Sequence, residues 1–363
     1  MKVGILGLPN AGKSSLFNAL TRAGAQAANY PFTTVEPNVA IVSVPDERLD
    51  RVVETVRATP TVYETMEFHD IAGLVRGAHK GEGLGNRFLA NIRETDALVH
   101  VVRAHSDAQV VHPEGRVDPL TDVDTVETEL LYADLEQAER RLEKVRREAK
   151  SLDRAKMAEE AWLRELVAAL GEGRPARSVG VPEAAAGALG NLQPLTAKPV
   201  LYLANVGEGD PLEVPPALAQ HAEAAGARSA AVSARIEAEL SELYELDAEE
   251  ATGMRAELGA GESGLATVIR EAWQLLGLIS FFTAGEGKEG RAWAIPRGTP
   301  ARRAAGEIHT DIERGFVAAE VVGWEDLVAA GGYTEARERA KLRVEGRGYE
   351  VRDGDVITVR FTP

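Results

Sequence analysis

Residues Gly7-Leu8-Pro9-Asn10-Ala11-Gly12-Lys13-Ser14 place two glycines, a lysine and a hydroxyl at the spacing G-x-x-x-x-G-K-[ST]. Glycine at both positions lets backbone N–H groups turn inward. Those of Asn10, Ala11, Gly12, Lys13, Ser14 and Ser15 can then cradle an oxyanion at the positive end of a following helix. Lys13 would neutralise the β- and γ-oxygens of a nucleoside triphosphate, and Ser14 could offer its hydroxyl to Mg²⁺.

Further along, Glu67-Phe68-His69-Asp70-Ile71-Ala72-Gly73 reads as a strand ending in Asp-x-x-Gly. Asp70 there can hold a Mg²⁺-bound water, and the N–H of Gly73 can meet a γ-phosphate. In Tyr30-Pro31-Phe32-Thr33-Thr34, Thr34 is the preferred threonine for reaching Mg²⁺, with Thr33 as the alternative. Glycine occupies five of the thirteen positions from 73 to 85, a composition costly to order and suited to a loop held by γ-phosphate and released on hydrolysis.

The elements that must hold these groups follow from apolar runs. Lys2 to Leu6 is a strand and Ser15 to Leu20 opens a helix, so the glycine-lysine segment is a strand-to-helix turn. Ala97 to Val102 and Pro199 to Ala204 are further strands, the second ending in Asn205-Val206-Gly207-Glu208. A guanine-reading loop has Asn-Lys-x-Asp at this place. Val206 cannot lay a charged stem along the base, Glu208 is one methylene longer than aspartate, and adenine has no N1–H to donate. The pocket therefore favours ATP or relaxes the choice. Ser233-Ala234, after Ala230 to Val232, stands where the last base-contacting loop belongs.

At 363 residues the chain has room for two or three domains. With 44% hydrophobic and 27% charged residues it reads as globular, and the absence of cysteine excludes disulfides and thiolate chemistry. The apolar start at Val3 to Leu8 is too short for a signal or a membrane span, so no membrane partner and a cytoplasmic location are expected. A net charge of −16 opposes a surface that clamps nucleic acid all over, though not local patches.

Asp70 and Asn205 lie 135 positions apart, more than a minimal nucleotide domain requires. Within that span Leu131, Leu135, Ala138, Leu142, Val145, Ala149 and Leu152 repeat at spacings of four and three, the seam of a coiled coil. Met157 to Leu170, with Trp162, Leu163 and Leu166, is expected to fold back antiparallel on it. Residues 140 to 156 carry eight basic and three acidic side chains, which fits either an RNA-facing patch or a solvated helix face laced with ion pairs. Residues 172 to 197 read as a loose connection and 235 to 278 as largely helical. Beyond them, Ile279 to Thr283 and Arg291 to Ile295 are strand candidates and Pro300 to His309 a helix. Tyr349 to Arg360 reads as a hairpin turning at Asp353-Gly354.

Taken together, the Gly7–Ser14 loop, Tyr30–Thr34, Asp70-Ile71-Ala72-Gly73-Leu74 and Asn205-Val206-Gly207-Glu208 resemble the YchF or Obg-like ATPase family over the whole chain. The resemblance implies an α/β fold: a Ras-like P-loop G domain at 1–121 and 199–278, an antiparallel α-helical coiled-coil insert at 122–198, and a C-terminal β-grasp TGS domain at 279–363. It implies a ribosome-associated ATPase that uses Mg²⁺, with contact to the large subunit or its RNA through the coiled coil and TGS domain. From 279 to 363 there are 13 basic and 14 acidic residues, so charge there adds no support for RNA binding.

Where many GTPases have a water-orienting glutamine, this chain has Leu74, which has no polar atom to offer. The family resemblance points to a histidine from a flexible loop as the substitute; the matching position is His112, and His79 is the rival. Asn10 either stabilises the loop or holds K⁺ beside the phosphates in the role of an arginine finger. Two other readings are a GTPase of the Obg type and a slow-hydrolysing, nucleotide-gated RNA- or ribosome-binding scaffold.

Overall fold

Strand β1 (Lys2–Leu6) is an apolar run buried along nearly its whole length, as a parallel strand covered on both faces must be. The computed structural model describes residues 1–27, 38–71, 84–107, 110–113, 115–148, 153–257 and 263–362. After β1 come α1 (Lys13–Ala27) and β2 (Val39–Val44), then α2 (Glu47–Val56) and β3 (Thr61–Val62), then β4 (Glu64–Asp70), α3 (Leu84–Arg93) and β5 (Ala97–Arg103). The chain continues through α4 (Pro119–Glu148), α5 (Arg154–Gly171), α6 (Ala186–Leu192), β6 (Val200–Asn205), α7 (Pro216–Ala224) and β7 (Arg228–Val232). Three helices, α8 (Ala234–Leu246), α9 (Ala248–Glu257) and α10 (Gly264–Leu275), complete this part.

Packing divides the chain into two compact units, Met1–Val42 with Glu67–Leu275, and Ser43–Met66 with Leu276–Pro363. In the first, six strands lie in the order β2-β4-β1-β5-β6-β7, and β1, β4, β5, β6 and β7 run parallel. The register sets Ile5 beside Asp70 and Leu6 beside His100, so Asp70 arrives at the strand end from which Gly7 departs. Ligands of such sheets bind at these carboxyl ends.

Helix α4 begins well before Leu131, the first expected seam position. Ala138, Leu142 and Val145 are buried against Trp162, Leu163 and Leu166 of α5. Glu148 meets Lys156 while Arg141 meets Glu159, so α5 runs back along α4. Ala149, Lys150 and Leu152 lie outside the described residues.

Of the basic run, Arg140, Arg141, Arg146, Arg147 and Lys156 each have a glutamate partner, at 2.6 to 3.4 Å. The pairing fits the ion-laced helix face.

Residues 172 to 197, expected as a loose connection, are instead short helical turns with Ala176, Val179, Ala185, Ala188 and Leu192 buried against the helix pair. The buried carboxylate of Asp134 on α4 accepts from the N–H groups of Leu195 and Thr196, each at 2.8 Å, and from the Thr196 hydroxyl at 2.7 Å. These tertiary bonds order a segment that local composition reads as loop.

In the second unit, β8 (Leu278–Gly285), β9 (Lys288–Pro296), α11 (Ala301–Ile308), α12 (Thr310–Arg314), β10 (Phe316–Gly323), α13 (Trp324–Ala330), α14 (Tyr333–Glu338), β11 (Arg343–Glu345) and β12 (Asp355–Phe361) follow in turn. The sheet order is β11-β10-β12-β8-β9-β3. Residues 43–66, which the sequence reading placed with 1–121, group here because β3 pairs with β9 and α2 buries Leu49, Val52 and Val56 with Phe282, Ala292 and Leu327.

The hairpin expected over Tyr349 to Arg360 does not form. The Asp353-Gly354 turn is present, but Gly354 N–H donates to Ser280 O and Asp353 Oδ1 accepts from Ser280 N, docking the turn on β8. Only Asp355–Phe361 is strand, paired antiparallel with β10 and parallel with β8.

Candidate nucleotide-binding site

Gly7 and Gly12 bracket the loop between β1 and α1 with φ of 149° and 102°, a region closed to most side chains. A Cβ on Gly7 would stand 2.4 Å from the Val101 carbonyl oxygen, and one on Gly12 would stand 2.1 Å from Asn205 Nδ2. The loop thus fits against β5 and the end of β6 only without side chains at these two points. Gly12→Ala is expected to destabilise this unit by about 2 kcal/mol or more. Its melting temperature and ATP affinity should both fall; a variant with native values of both would contradict the fit.

The Lys13 ammonium is buried and donates to the Leu8 carbonyl at 2.7 Å. Burial lowers its pKa to about 8, with Asp70 opposing that shift. Burial in turn raises the Asp70 carboxyl above its ordinary value, against the pull of Lys13. Each charge therefore partly offsets the effect of burial on the other.

A cleft of about 680 Å³ opens over this loop. Asn10, Gly12, Lys13, Ser14 and Ser15 line it on one side, and Asn205, Val206, Glu208 and Ser233 on the other. Ala11 and Ala234 are buried and do not line it, but Asn205 joins them: its Nδ2 donates to Ala11 O and its Oδ1 accepts from Ala234 N–H, both at 3.0 Å. Glu208 is paired with Arg235, Nε to Oε1 at 2.7 Å, at an exposed edge. Among the described residues the buried Ser233 Oγ has no hydrogen-bond partner, and it faces the cleft as a polar atom awaiting one.

Sequence reading missed a third wall. His105, Ser106, Asp107 and Val110 also line the cleft, and the buried guanidinium of Arg103 donates to the carbonyls of His105 and Val110 at 3.0 Å and of Asp107 at 3.3 Å. A charged residue closing an otherwise apolar buried strand was the available signal. Arg235, directly after Ser233-Ala234, was missed as well.

His112 lies elsewhere. It is buried, with Nε2 at 2.9 Å from Asp122 Oδ2 of α4, and it is not among the residues lining the cleft. Its neighbour Val111 accepts from Asn10 Nδ2 at 3.0 Å, which ties this loop to the phosphate loop. That bond is the loop-stabilising use of Asn10. Tyr30 to Thr34, Gly73, Leu74 and His79 lie outside the described residues.

The exposed Ser14 on the cleft and Asp70 beside Lys13 suit a Mg²⁺ ion held mostly by phosphate oxygens and water. Among the described residues no group of three or more His, Asp or Glu could hold a metal by itself. None of the described helices is long and apolar enough to cross a membrane.

Comparison with known proteins places the chain among relatives of the same length. A family model described as a 50S ribosome-binding GTPase matches residues 2–148, and the YchF-GTPase_C model, described as a protein of unknown function, matches 278–362. The chain is 48% identical over 366 residues to the Bacillus subtilis protein named ribosome-binding ATPase YchF, covering 99% of each. It is 48% identical over 360 residues to the Haemophilus influenzae protein of the same name, again covering 99% of each. The solved structure of the Schizosaccharomyces pombe YchF GTPase superposes with a TM-score of 0.86 at 36% identity, over 99% of this chain and 97% of that one.

Proposed function

The chain belongs to the YchF family, and from that premise we propose that it binds and hydrolyses ATP with Mg²⁺ as a nucleotide-dependent switch on the ribosome. The observation that supports this is the cleft itself, lined by Lys13 and Ser14, which would take the phosphates, and by Val206, Glu208 and Ser233, which would take the purine. Glu208 engages Arg235 at 2.7 Å, which competes with the double acceptance guanine would need. Direct competition of ATP and GTP for the purified protein tests this: ATP should win, and equal or stronger GTP binding would turn the reading to a GTPase.

Mg²⁺ would be held by Ser14, Thr34 and, through water, Asp70, where it would neutralise charge on the β- and γ-oxygens. The backbone N–H groups of residues 10 to 15 and of Gly73 would bind phosphate. Asn205 and Ala234 would shape the base pocket, and the free Ser233 hydroxyl would meet the base. His112 would act on the attacking water. A K⁺ ion at Asn10 would need that side chain's oxygen, since its nitrogen is given to Val111; equal ATPase rates in K⁺ and Na⁺ buffers would remove the idea.

For the rest of the chain the proposal is a G domain at 1–121 and 199–278, a coiled coil at 122–198 and a TGS domain at 279–363, with 43–66 packed into the last. The α4–α5 pair and the TGS domain are the proposed contacts with the large subunit or its RNA, in the cytoplasm. Co-sedimentation with ribosomes should differ between ATP, ADP and no nucleotide. Indifference to nucleotide would favour the scaffold reading. Charge reversal at Arg146 and Arg147 should weaken the association; no change would leave their pairs with Glu160 and Glu143 as purely structural.

A further inference from the structure

A second cavity, of about 590 Å³, shares no lining residue with the nucleotide cleft. It lies between α4 and one face of the sheet. Leu98 and His100 on β5, and Val200 and Tyr202 on β6, are alternate residues and so point the same way. Across from them α4 presents Glu127, Leu130 and Leu131, and Leu195 closes one side. The remaining wall is built of small or rigid residues, including Gly173, Pro175, Ala225 and Gly226, which leave the space unfilled. A mainly apolar cavity with a few convergent polar groups is the usual form of a small-molecule site.

The polar groups converge on one point. The Tyr202 hydroxyl donates to the Glu127 carboxylate, and His221 Nε2 lies 3.4 Å from the same carboxylate. Arg177 acts on the Tyr202 hydroxyl from nearby while donating to Thr196 O at 3.2 Å. The rings of His100 and His221 flank Tyr202, with centroids 5.8 and 5.2 Å away. Burial holds His100 neutral, its pKa lowered to about 3, and raises that of the Tyr202 phenol, so these two rings present uncharged aromatic surface.

A guest with a full charge would be drawn to one of Glu127 and Arg177 and opposed by the other, whereas a neutral group that both donates and accepts satisfies both. We propose that this cavity binds a planar aromatic molecule carrying one uncharged hydrogen-bonding head, its ring against Leu130, Leu131 and Leu195 and its head at Tyr202, Glu127 and Arg177. The site is built from the nucleotide-carrying sheet and the helical insert together, and it is independent of the nucleotide reading.

The test is methyl-detected NMR of the full chain titrated with 2-naphthamide. Saturable shifts of the Leu131 and Leu195 methyl groups, with intermolecular NOEs from the naphthyl ring to Leu131, are the expected result. The carboxylate 2-naphthoate and the cation 2-naphthylmethylammonium should bind about tenfold more weakly. Ala224 is an exposed residue at the cavity mouth, so Ala224→Trp should block the shifts without changing the melting temperature. Absence of saturable shifts in the unmodified chain would overturn the site, as would undiminished binding in a normally folded Ala224→Trp. Equal binding of the charged analogues would overturn the assigned head group.

Discussion

Lys13→Ala is expected to reduce ATP turnover by about 10²- to 10³-fold and to weaken ATP binding, because it removes a positive charge set against the transferring phosphoryl group. In the free protein the ammonium is already committed, donating to the Leu8 carbonyl from a buried position. A triphosphate would offer it oxygens of far greater negative charge, so the exchange of partners favours binding.

The lowered pKa, about 8, makes the same residue readable by pH. Phosphate binding requires the ammonium and raises its pKa back, so binding above pH 8 must take up a proton. Below about 8 the ammonium is present and affinity should be level with respect to this group. From there upward affinity should fall, approaching about tenfold per pH unit until the pKa of the bound complex is reached. Titration of a fluorescent ATP analogue from about pH 7 to about pH 9.5 measures this directly. The slope should vanish in Lys13→Ala, and its persistence there would assign the proton to another group.

His112→Ala should lower kcat by about 10²- to 10⁴-fold while leaving the affinity for ATP within about twofold, the range for loss of a positioned general base. His112 is held through Nε2 by Asp122, both side chains being buried, and is linked to the phosphate loop through Val111 and Asn10. A histidine fixed on a carboxylate through one nitrogen is the base-and-orienter arrangement of many hydrolytic sites. Asp122→Asn should therefore lower kcat in the same sense by a smaller factor. Single-turnover hydrolysis of bound ATP separates these effects from binding, and an unchanged rate in His112→Ala would sink the assignment.

How much of this could be read from the sequence depended on the range of the interactions. The phosphate loop was legible because its chemistry is confined to eight consecutive residues between a strand and a helix. The position of Ser233 followed from an apolar run that became β7. The cleft wall that Arg103 holds was not legible: a lone charge closing an apolar strand marks the residue, but nothing local names the three carbonyls it bonds. Neither was the membership of residues 43–66, which is decided by pairing with β9 more than two hundred positions away. At Asp353-Gly354 the local signal was correct about the turn and misleading about the partner, because Ser280 competes successfully for the turn's backbone. Asp134 likewise orders a glycine- and proline-rich segment from a distance.

Asn205 carries a consequence beyond its place in the base motif. One small amide, holding Ala11 with its nitrogen and Ala234 with its oxygen, couples the loop proposed to grip the phosphates to the loop proposed to surround the base. The two ends of the nucleotide would thereby be gripped by a single clamp with a common bolt. On the proposed reading, a change at one jaw would pass to the other through that one side chain, so loss of phosphate would loosen adenosine without any signal having to travel through the rest of the molecule.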